Sequence, residues 1–171
     1  MASPTPSGPL MQPLASLRTW LSGLSACQTI LGADDAAEAV ARIHWPELSF
    51  VGLTAAAKLA LRPTIILAIG DGGGARRSAF PNTWGDSLTV AMGLWILPSE
   101  TYESRADQYV AFGNAVGSLE DAMRAASGIG GPNIVEIRRM TGPRRPDAKA
   151  VAEGVIDEYT IEYELTLETG E

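Results

Sequence analysis

Between Tyr159 and Glu168 the chain alternates without a break: Tyr159, Ile161, Tyr163, Leu165 and Leu167 are apolar, while Thr160, Glu162, Glu164, Thr166 and Glu168 are polar. Successive side chains on a β-strand point to opposite faces, so a period of two specifies a strand with one face on a core and the other wet. Here the wet face is acidic. The same period recurs at Leu88, Val90, Met92, Leu94 and Ile96, which alternate with Thr89, Ala91, Gly93 and Trp95 up to Pro98. Upstream, Pro63 precedes the β-branched run Thr64 to Ile69, which ends in Asp71-Gly72-Gly73-Gly74 and reads as a buried strand entering a mobile loop to about Asp86. These two strands make an antiparallel hairpin with a long loop. Ile134 to Met140 reads as a further strand, and Thr141 to Ala152 as a polar loop.

Elsewhere the period is helical. Tyr109, Phe112, Val116, Leu119, Met123 and Ala126 mark one face of a helix from Ser104 to Gly128, with Asp107, Glu120, Asp121 and Arg124 on another face. Leu14, Leu17, Leu21, Leu24 and Leu31 recur at steps of three and four, predicting a helix from Pro13 to a C-cap near Gly32. Asp35 and Glu38 resemble a capping box opening a short helix. Pro46 limits any continuation of that helix, and Arg42 to Trp45 also fits a short strand. The expected fold is α+β: a mainly antiparallel four-stranded sheet with helices packed on one face and long hairpin loops. Residues 1–12, rich in Pro and Ser, read as a disordered arm ahead of a single domain over 13–171.

A chain of 171 residues with 46% hydrophobic residues suits one domain, and its aromatic residues suffice for a core despite 18 Gly and 11 Pro. The net charge of -7 argues against a surface built wholly for nucleic acid or anionic lipid. The longest strongly apolar stretch, Thr64 to Ile69, is far short of the roughly 18 residues that span a bilayer. MASPTPSGPL lacks the basic and apolar regions of a secretory signal. One Cys and one His rule out a disulfide and a structural zinc site of the usual four Cys/His ligands.

Three features invite a chemical reading. Gly70 to Ala75 spells G-x-G-x-x-A after a strand, but Arg76, Arg77, Ser78, Ala79, Phe80 and Pro81 come next where a dinucleotide site needs a helix, so a hairpin loop is expected. His44 has no nucleophile motif near it, and Cys27 lies beside a leucine stripe; both read as core or core-edge residues. The charges separate: Glu158, Glu162, Glu164 and Glu168 form an acidic lumen or solvent face, and no Lys or Arg occurs after Glu153. Arg138, Arg139, Arg144, Arg145 and Lys149 cluster at the end of one strand, with Arg76 and Arg77 in the first hairpin loop. If both loops project from one end of the sheet, they form a basic rim for docking an acidic partner.

The segments LRTWLSGL, ARIHWPEL, RPTIILAIGDGG, DSLTVAMGLWILPSETY, RADQYVAF and DEYTIEYELTLE succeed one another in an order that resembles bacteriophage tail terminator or tail-completion proteins of the minor tail protein U kind. The resemblance covers the chain from about Leu14 and rests on element order and texture. It implies a structural virion protein, assembled in the host cytoplasm, that forms a hexameric ring on the head-proximal end of the tail tube. Such a ring stops tube polymerisation, offers a surface to the head connector or stopper, and lets DNA through its lumen without specific binding. Sheet edges and extended loops would join the copies by strand addition. The family implies no catalytic residues, cofactor or metal. Other readings are a head–tail adaptor or stopper in the neck, a small nucleotide-binding enzyme using Gly70 to Ala75, and a DNA-binding module using the arginine loops.

Overall fold

A computed structural model describes residues 6–46, 61, 63–70, 76–77, 86–96, 104–129, 131–144 and 159–169. In chain order the elements are α1 (Gly8–Gly23), α2 (Ser25–Leu31), α3 (Ala36–Ala41), β1 (Ile43–His44), β2 (Thr64–Ile69), β3 (Arg76–Arg77), β4 (Asp86–Ile96), α4 (Arg105–Ala126), β5 (Asn133–Arg144) and β6 (Tyr159–Thr169). The fold is α+β, with the expected mainly antiparallel four-stranded sheet at its centre, its strands in the order β2-β4-β6-β5. Two short strands enlarge it: β1 runs parallel to β2 at one edge, and β3 pairs with Ser87 and Asp86 at the start of β4. The loop expected between β2 and β4 therefore contains a two-residue ladder.

The alternating strands bury what their sequence indicated. Tyr159, Ile161, Tyr163, Leu165 and Leu167 of β6 share one face with Leu88, Val90, Met92 and Leu94 of β4, and all are buried. Phe112, Val116, Leu119 and Met123 of α4 join them, as do Leu14, Leu17 and Leu21 of α1, in one hydrophobic cluster. Each such aliphatic side chain contributes roughly 1.5–3 kcal/mol by leaving water. Phe112 stacks on Tyr159 with ring centroids 5.2 Å apart. Tyr109, expected at a core position, is instead exposed at the first turns of α4.

The N-terminal helix departs from expectation at both ends. It starts at Gly8, so residues 8–12 belong to α1 rather than to a disordered arm. Pro9 lies in the first turn, where a missing N–H goes unused, and so does not oppose the helix. The helix then breaks at Leu24, whose backbone is extended, and resumes as α2. On an unbroken helix the buried Cys27, Ile30 and Leu31 would lie about 120° around from the Leu14, Leu17 and Leu21 stripe. The break turns both sets to the same core, and Gln28 Nε2 donates to the freed Ser22 carbonyl at 2.9 Å. Gly32 ends α2 as expected, at a left-handed φ of 62°.

The remaining caps form where the sequence places them. Asp35 accepts from the Glu38 N–H at 2.8 Å, and Glu38 in turn accepts from the Asp34 N–H at 2.9 Å. Ser104 accepts from the Asp107 N–H at the start of α4. By contrast, β5 runs on to Arg144, past the expected start of a polar loop at Thr141. The long partner β6 continues to offer ladder groups, and three register shifts in β5 absorb the extra residues.

Candidate functional site

The helices among the described residues pack on the face of the sheet that carries Tyr163 and Val90. The opposite face carries no helix among the described residues, and it divides into two halves. Along β2 and β4 it presents Ile66, Ala68, Ala91 and Gly93, and along β6 it presents Thr160, Glu162, Glu164, Thr166 and Glu168. Small side chains beside longer ones leave a shallow hollow of about 370 Å³ floored by Ala68, Ala91 and Gly93. Ile66 and Met140 wall it, and Glu162 and Glu164 stand at its polar side. Met140 comes from a register shift in β5 and is 52% exposed.

The acidic row is one surface: Glu162, Glu164 and Glu168 share it, while Glu158 lies outside the described residues. Glu136 joins the row from β5, opposite Thr166. Arg138 is the counter-ion, 3.6 Å from Glu164, but with its side chain 65% exposed it is worth at most about 1 kcal/mol.

The arginines do not form one rim. Arg76 is opposite Ser87 at the start of β4, whereas Arg144 is opposite Thr160, the partner of Trp95 near the end of β4. At ~3.3 Å per residue the two positions are about 25 Å apart, at opposite ends of the sheet. Arg145 and Lys149 lie outside the described residues. Arg138 and Arg139 also part company, because neighbours on a strand face opposite ways. Arg138 joins the acidic face, and Arg139 turns under the sheet to Glu120 of α4.

That inner contact is a polar clamp with no signature in the sequence. Glu120 Oε1 accepts from Arg139 Nε at 3.0 Å, from Arg139 Nη2, and from the Tyr163 hydroxyl at 2.8 Å. It ties α4 to both β5 and β6. Burial and the neighbouring carboxylate push the Tyr163 phenol up, and the Glu120 hydrogen bond raises Arg139. A second clamp is Arg18 of α1, whose Nε and Nη2 donate to the Ile43 and Val40 carbonyls at 2.7 Å each, with its guanidinium over the Trp45 ring. Burial lowers the Arg18 pKa. Nothing in the leucine spacing distinguished Arg18 from an ordinary exposed polar position.

The residues considered for chemistry are placed against it. Cys27 is buried, and desolvation pushes its thiol up to about 12, which removes the thiolate needed for attack. His44 is half-buried in the edge strand β1. The Gly70 N–H donates to the Thr89 carbonyl at 3.0 Å, extending the hairpin ladder, and the next described residues form a strand rather than a helix. Residues 71–75 of the glycine motif lie outside the described residues. Among the described residues no group of three His, Cys, Asp or Glu is placed to hold a metal ion, and no helix is long and apolar enough to cross a membrane.

The sheet edges are poor templates for strand addition. Three register shifts, Pro143 and the charges of Glu136, Arg138 and Arg139 interrupt β5, and β1 has two residues with Pro46 close behind. This runs against the edge-to-edge joining that the resemblance implies. No known protein family matches the chain, and no curated protein sequence matches it.

Proposed function

We propose that the chain is a structural virion protein, a tail terminator whose copies close into a ring, six in number, on the head-proximal end of a phage tail tube. The ring stops tube polymerisation and gives the head connector or stopper its docking surface. What supports this best is the one-sided construction of the sheet. Among the described residues helices cover one face, while the other carries Ile66, Ala68, Ala91 and Gly93 beside an acidic half. A sheet face without a second layer leaves room for another chain to supply it.

A closed ring needs a heterologous contact, in which two different surfaces of the same protein meet. The chain has such different surfaces: an acidic face and sheet ends bearing arginines. A net charge of -7 and the glutamate row give a polyanion little to hold, in keeping with DNA that passes through without being bound. The buried Cys27 thiol fits a role without catalysis.

The test is to polymerise tail tube subunits with and without the purified chain and measure tube length by electron microscopy. Rings at one end of short tubes are expected. Tubes of unchanged length with no ring would overturn the reading.

A further inference from the structure

We draw no further inference here: the strongest candidate, the exposed apolar patch of Tyr109 and Val110 at the start of α4, carries nothing because no feature among the described residues shows what covers it.

Discussion

Replacing Tyr163 by Phe isolates one hydroxyl of the clamp that joins α4 to the sheet. The Tyr163 side chain is 1% exposed, and its hydroxyl donates to Glu120 Oε1 at 2.8 Å. A hydrogen bond to a charged acceptor contributes roughly 1.5–3 kcal/mol net, and the low end applies here because Glu120 keeps its Arg139 donors. Tyr163→Phe should therefore cost about 1.5 kcal/mol, lowering Tm by roughly 3–6 °C for a domain of this length. Glu120→Ala should cost more, ~2–3 kcal/mol, because it strands the Tyr163 hydroxyl in the core and releases Arg139. With both changes made, no buried hydroxyl is left unpaired, so the double variant should be no less stable than Glu120→Ala. Urea unfolding monitored by tryptophan fluorescence gives the four stabilities of the cycle, and a coupling of about 1.5 kcal/mol is expected with unchanged m-values. Costs that add to within ~0.5 kcal/mol would show that Tyr163 and Glu120 do not act together, refuting that arm of the clamp.

Three further predictions probe the same framework. A Cβ on Gly131 would sit 2.0 Å from Trp20 Cδ1, so Gly131→Ala should displace the ring, shift its fluorescence and cost roughly 1–3 kcal/mol, and Trp20→Ala should abolish that penalty. Arg18→Lys keeps the charge but loses the two-carbonyl fork, so it should recover less than half of the ~2 kcal/mol lost in Arg18→Ala, with faster amide exchange at Ile65 beside β1. The Cys27 thiol is raised to about 12, so folding favours its protonated form. Its contribution is intact below the unfolded thiol's pKa of ~8.5 and is lost as pH climbs from there toward 12, at up to ~1.4 kcal/mol per unit, a slope that Cys27→Ala should remove.

The layering was legible because alternation and helical spacing report burial directly. β6, β4 and α4 fall where Tyr159, Leu88 and Phe112 begin their periods, since each apolar face needs a single core. Features that depend on how elements meet were not legible. Leu24 breaks a run whose leucine spacing is unbroken, because the direction of the core changes between Leu21 and Cys27. Arg18 and Glu120 look like ordinary exposed polar residues until α3 and β6 bring carbonyls and a phenol to them. The supposed basic rim failed on register: which end of a sheet a loop leaves from is set by strand pairing, and pairing puts Arg76 and Arg144 at opposite ends. The hollow had one visible sign, the small residues Ala91 and Gly93 at the wet positions of β4, but its walls come from β2 and β5, distant in sequence.

A tail terminator is defined by its position within a particle. Cryo-electron microscopy of virions carrying this chain, with the neck reconstructed to the resolution of side chains, reads that position without an intermediary. Six copies should form a ring between the last ring of tail tube subunits and the head connector. Finding the chain absent from the neck, or present there as isolated copies that make no contact with one another, would contradict the proposed role.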